Sequence, residues 1–232
     1  MGWVVGAGLR LNFPNIAQGD YFQSQVTYTQ GATRYMNQAN NAPNFGWERG
    51  GNFGFGVLSD CVFASTSAPV GGPVTRGTGC NLTTGWQVNA SYEHYWTPQF
   101  HESFYGGIEE IRYNSQANAI LCAAEGAGTG SGALALATPG CNNNFDIWSV
   151  GSRLQYDFTK TLYIGGDFLY QRLDTATLPG NVLKPANGTA LLPANNDLVC
   201  ATGAAGGAAP CANIRNMNNL AVTLRMHKDF LP

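Results

Sequence analysis

Strands of roughly ten residues in which large apolar side chains alternate with polar ones recur along this chain, joined by connections that are short and long in turn. The segment 219–230 (NLAVTLRMHKDF) shows the pattern clearly. Leu220, Val222, Leu224, Met226 and Phe230 fall on one face of an extended strand, and Thr223, Arg225, His227 and Asp229 fall on the other. Lys228 is the exception, close enough to the end to reach water. A single such strand would suit any half-buried sheet. Repetition with apolar residues outward and polar residues inward is the mark of an all-β fold, a transmembrane antiparallel β-barrel.

The repeats can be followed from the first residues. At 3–13, Trp3, Val5, Ala7, Leu9, Leu11 and Phe13 oppose Gly6, Gly8, Arg10 and Asn12. At 20–29, Phe22, Val26 and Tyr28 oppose Gln23, Gln25, Thr27 and Thr29. At 84–96, Trp86, Val88, Ala90, Tyr92 and Trp96 oppose Gln87, Asn89, Ser91 and Glu93, with aromatics at both ends as in an interfacial girdle and only His94 breaking the apolar face. The return segment 100–113 is ambiguous in register, because Glu109 and Glu110 adjoin and one must face the apolar side unless a bulge intervenes. At 145–158, Trp148, Val150, Leu154, Tyr156 and Phe158 oppose Arg153, Gln155 and Asp157. At 162–172, Ile164, Phe168 and Tyr170 oppose Gly165, Asp167 and Gln171. The piece 52–58 (NFGFGVL) alternates too, and its periodicity leaves open whether it joins the wall. The inward set is therefore the candidate pore lining: Arg10, Gln23 and Gln25 first, then Gln87, Asn89 and Glu93, then Arg153, Gln155, Asp167 and Arg225. Its mixed signs would set ion preference through the local field.

Composition agrees. Charged residues are 11% of the 232, against roughly 25% in ordinary domains, while aromatics reach 12% and glycines number 30. A net charge of −2 excludes an electrostatic nucleic-acid partner, which needs a clustered basic face. No apolar run is long enough for a membrane helix, and no basic segment followed by an apolar one opens the chain, so a leader is expected to have been removed or the chain to be a fragment. A soluble β-sandwich also alternates, but its inner faces are apolar, whereas here the second face is rich in Gln, Asn, Arg and Glu.

Short turns near 14–19, 97–99 and 159–161 alternate with long connections at 31–83, 114–144 and 173–218. In outer-membrane barrels short turns are periplasmic and long loops extracellular. All six cysteines lie in or beside the long connections, and neighbours bracket one loop each: Cys61 with Cys80, Cys122 with Cys141, Cys200 with Cys211. Six cysteines admit many pairings, and this one is the expectation. Cysteines confined to loops indicate an oxidising compartment. No CxxC occurs and no histidine stands at ligand spacing from a cysteine, so no metal is expected, nor any cofactor.

Enzymatic readings find little support. Glu109 and Glu110 point to opposite faces, unsuited to flanking one bond. His101 lies near Ser103, but the sequence supplies no evident carboxylate to orient the histidine. The stretch GAGTGSG at 126–132 has the composition of a phosphate loop without its Lys-Ser/Thr or following helix. No catalytic residue is assigned.

The segments GWVVGAGLRLNFPNIAQGDYFQSQVTY, GWQVNASYEHYWTP, WSVGSRLQYDFTKTLYIGGDFLYQRL and LRMHKDFLP together resemble the C-terminal portion of the alphaproteobacterial outer-membrane porins. That resemblance implies a channel in the bacterial outer membrane for passive diffusion of small hydrophilic solutes and ions, built as a homotrimer of ~16-stranded barrels embedded in lipid. On that reading residues 1–232 are the C-terminal part of one porin barrel. Two departures stand out: Leu231 and Pro232 follow the terminal aromatic, and the chain has about half a porin's length. Seven strands alone would leave ~20 edge groups unpaired at roughly 2 kcal/mol each in hydrocarbon, far beyond a net stability of about 5 to 15 kcal/mol. Either further strands complete the barrel, or NFGFGVL closes it as an eighth. That insertion would break the order of short and long connections, so further strands are the expectation. The alternative function is a small closed barrel displaying disulfide-braced loops for adhesion or binding.

Overall fold

The computed structural model describes residues 1–36, 44–49, 52–63, 79–126, 142–177 and 213–230. Seven long strands form one antiparallel sheet: β1 (Trp3–Asn12), β2 (Tyr21–Gln30), β7 (Thr84–Tyr95), β8 (Phe100–Arg112), β9 (Phe145–Thr159), β10 (Leu162–Asp174) and β12 (Met217–Lys228). They lie side by side in chain order, so each pairs with its sequence neighbour in the sheet, the up-and-down arrangement of a β-barrel wall. The sheet is not closed. β1 and β12 form its two edges and do not pair with each other among the described residues.

The tight turns have local causes. Between β1 and β2 the chain reverses through hydrogen bonds from Phe13 N to Asp20 O and from Asp20 N to Ala17 O, with Gly19 at φ 107°, a conformation that disfavours any side chain. Between β7 and β8 the Thr97 hydroxyl accepts from the amide of Phe100 at 2.9 Å, and Thr97 N donates to Phe100 O. Pairing at β9–β10 shifts only between Leu162 and Tyr163, beside the 159–161 turn. Lys228, the exception in its strand, reaches that turn and donates to the Thr161 hydroxyl at 2.6 Å.

Among the described residues, buried apolar packing lies at the end of the sheet that carries the long connections. There β3 (Asn44–Arg49), β4 (Asn52–Val57), β5 (Cys61–Val62), β6 (Asn81–Leu82), β11 (Asn213–Ile214) and a helix α1 (Ser115–Gly126) gather. NFGFGVL is thus a strand, but in a separate sheet of order β11-β4-β3 and not an eighth stave of the wall. The helix corrects the reading of 114–144 as loop. Its start is set by Asn114, whose side chain accepts from the Ala117 amide at 2.8 Å, the bond by which an Asn cap satisfies a free helix donor. The expected 31–83 connection is likewise no plain loop, since it supplies β3 to β6.

Candidate functional site

In an antiparallel sheet, residues directly opposite share a face. Arg10 pairs with Gln23, Gln23 with Ser91, and Ser91 with Tyr105. One row further, Gln25 pairs with Asn89, and two rows on Thr27 pairs with Gln87. Toward the tight turns, Glu93 pairs with Ser103, Ser103 with Arg153, and Arg153 with Asp167. Gln155 pairs with Gly165, and Gly165 with Arg225. All ten residues singled out by alternation therefore lie on one face of the sheet. The opposite face carries exposed Trp3, Val5, Leu9, Val26, Phe104, Val150, Leu154, Phe168 and Val222. For a chain in water this would be a large uncovered apolar surface; facing hydrocarbon it is at its most stable.

On the polar face, side chains near the tight turns form a chain of hydrogen bonds. Glu93 is buried and accepts from the Ser103 hydroxyl and from His101 Nδ1. His101 Nε2 lies 3.3 Å from an Asp157 oxygen, and its ring stacks on Tyr95 at 4.7 Å. Gln155 donates to Asp157 at 2.8 Å and accepts from Arg153 at 2.7 Å. Tyr105 donates its hydroxyl to Asp167 at 2.5 Å. Arg10 lies over the Tyr21 ring, 3.9 Å from its centre.

The histidine corrects the sequence reading. Carboxylates do orient His101, one at each ring nitrogen, and both come from neighbouring strands, Glu93 on β7 and Asp157 on β9, which only the pairing brings alongside it. Both nitrogens are then occupied, and the Ser103 hydroxyl donates to Glu93 and not to the ring. Among the described residues the serine thus lacks the serine–histidine contact on which a catalytic triad depends.

Glu109 and Glu110 are accommodated without a bulge. Glu109 pairs with Gln87 on the polar face, and Glu110 with Trp86 on the apolar one. Glu110 is compensated at that position: it accepts from Trp86 Nε1 at 2.9 Å and from Arg112 at 2.8 Å, and Arg112 also contacts Asp146.

At the other end, the polar face turns apolar and is covered. Ile111, Phe145 and Leu173 point inward by register and pack on Met36, Leu58 and Val62, with Trp47 and Ile147 alongside. Glycines let β4 lie this close: a Cβ on Gly56 would sit 2.6 Å from the Phe145 ring, and one on Gly54 2.6 Å from the Met217 side chain. Phe55 N donates to the Thr175 hydroxyl at 2.8 Å, and Tyr113 donates its hydroxyl to Val57 O at 2.5 Å. The inserted segment leaves beneath it a cavity of about 950 Å³, lined by Arg10, Gln25, Asn89, Tyr105 and Glu109 of the wall together with Met36 and Trp47. The sequence signal for this insertion is the alternation of Phe with Gly in NFGFGVL, large side chains to pack and bare backbone to approach.

Cys61 and Cys80 are joined, with Cα atoms 5.5 Å apart, closing the loop between β5 and β6. Cys122, in α1, is also in a disulfide. Its expected partner Cys141 and the expected pair Cys200 and Cys211 lie outside the described residues.

No group of His, Cys, Asp or Glu among the described residues could hold a metal. No curated protein and no solved structure matches this chain. A family model does, over residues 2–197, and its description is the porin subfamily. With an antiparallel wall, one apolar and one polar face and a segment folded against the polar face already evident, the chain belongs to the porin subfamily, whose members are channel proteins.

Proposed function

We propose that this sheet is part of the wall of a water-filled channel in a bacterial outer membrane, through which small hydrophilic solutes and ions diffuse passively. One observation carries the reading: ten polar and charged residues share one face, while the other exposes many large apolar side chains. In this account Arg10, Gln23, Gln25, Gln87, Asn89, Glu93, Arg153, Gln155, Asp167 and Arg225 line the pore. The long connections face outward from the cell, the tight turns face the periplasm, and β4 narrows the outer mouth. Further strands beyond β1 and β12 complete a barrel of ~16 strands, since open edges cannot persist in hydrocarbon. The assembly is a trimer, as the resemblance to alphaproteobacterial porins implies. Transport involves no cofactor and no turnover.

Liposome swelling provides the test. Vesicles holding the assembled protein should swell in small neutral sugars at rates that fall steeply with solute size. Vesicles that stay impermeable although the protein is folded into the membrane would overturn the channel and favour a closed barrel that displays its loops.

A further inference from the structure

On the polar wall the charges are not treated alike. Each carboxylate near the tight turns has a donor: Glu93 has Ser103 and His101, Asp157 has Gln155 and His101, and Asp167 has Tyr105. The arginines do not have matching acceptors. Among the described residues Arg153 hydrogen-bonds only to the neutral Gln155, its guanidinium carbon standing over the Tyr163 ring at 5.7 Å from the centre, and Arg225 has no hydrogen bond or ion pair.

These two arginines share one groove of about 200 Å³, lined by Arg153, Gly165, Asp167, Thr223 and Arg225. The register explains why they can converge. Gly165 stands between Gln155 and Arg225 in one cross-strand row, and Arg153, one row away, turns toward that row to reach Gln155. Because Gly165 has no side chain, the floor between the two guanidinium groups is bare. Two cations thus face one carboxylate, and that carboxylate is already engaged by a tyrosine hydroxyl. Such a groove lacks an acceptor, and planar forked donors match the oxygens of a carboxylate or phosphate.

We propose that the groove over Gly165 is a subsite for small solutes bearing a carboxylate or phosphate group, held between Arg153 and Arg225. It rests on the reading of this face as a water-filled lumen and adds a preferred solute class to it. Because the groove is open, binding is weak and salt-screened, suited to passage and not retention.

Inorganic phosphate is the probe, used with the assembled protein at low ionic strength. Two readouts separate the subsite from the channel. In detergent micelles, phosphorus NMR linewidths should broaden saturably with wild type; Arg153→Gln and Arg225→Gln should each raise the half-saturating phosphate concentration by about three- to tenfold, and Arg225→Lys by less, because the charge remains and the fork is lost. In planar bilayers, phosphate should reduce the chloride current with the same ranking of variants. Saturable broadening without conductance would leave the subsite standing and overturn the channel. Conductance with no broadening, or with broadening indifferent to both arginines, would overturn the subsite alone.

Discussion

Asp20 shows how a single residue fixes a wall. It ends the turn before β2, is 1% exposed, and binds three groups of β7: Tyr92 donates its hydroxyl at 2.7 Å, the Tyr95 amide donates at 2.8 Å, and His94 Nδ1 lies at 2.7 Å. Burial pushes its carboxyl up, but the bonds from His94, Tyr95 and Tyr92 together outweigh burial and hold it below the usual 3.8. The unfolded chain therefore binds the proton more readily than the native one. Asp20 contributes stability that is fully present above the ordinary carboxylate range and is lost as pH falls through its lowered native value. Asp20→Ala should cost about 2 to 3 kcal/mol by stranding the amide and hydroxyl donors, and should flatten the acid limb of a urea-unfolding series run against pH. An unchanged acid limb would show that the turn does not depend on this carboxylate. Alternation alone marked His94 only as an interruption of an apolar face, because its partner lies in another hairpin.

Glu109 is the opposite case. Its Oε1 is buried on the polar face with no hydrogen-bond partner among the described residues. Glu109→Gln removes a charge from that position and should raise unfolding stability by about 1 kcal/mol, read from urea midpoints in vesicles. A lower midpoint would mean that the carboxylate is compensated in a way the wall geometry does not supply.

Among elements, β12 offers the cleanest test of the two faces. Val222 is 71% exposed on the apolar side, while Thr223 belongs to the row of Arg153 and Asp167. Arginine at 222 should cost roughly 2 to 4 kcal/mol near the bilayer midplane, whereas at 223 it should cost less than about 1. Equal penalties in reversible unfolding from lipid would remove the distinction. The wall strands were legible in the sequence because period 2 survives wherever one face meets lipid and the other water. β4 was not, since Phe53 and Phe55 pack with Ala176 and Ile214 on one side while Gly54 and Gly56 lie against Met217 and Phe145 on the other, so no polar side exists to define it. Helix α1 was hidden for a different reason: a short Ala-rich segment beside a Gly-rich stretch looks like loop unless the Asn114 cap is noticed. The apolar patch of Ile111, Phe145, Ile147 and Leu173 broke the inward polar rule because an inserted segment, and not water, covers that end.

Across the whole molecule, the fold is inverted relative to a soluble domain. Among the described residues most large apolar side chains of the wall are exposed on one face, the polar ones share the other, and buried apolar packing lies at one end. That polarity was legible in the sequence; the insertion that covers one end of the polar face was not, because it depends on contacts between residues more than a hundred positions apart, such as Phe55 with Thr175.

Spin labels along β12 read directly which face of the wall meets hydrocarbon and which meets water. With the described cysteines all in disulfides, single cysteines introduced at 220 through 227 take one nitroxide each. In reconstituted vesicles, relaxation by oxygen should peak at 220, 222, 224 and 226, and relaxation by a water-soluble nickel chelate at 221, 223, 225 and 227, the two profiles opposite in phase with period 2. Uniform access to the nickel chelate along the strand, or profiles in the reversed phase, would contradict the account.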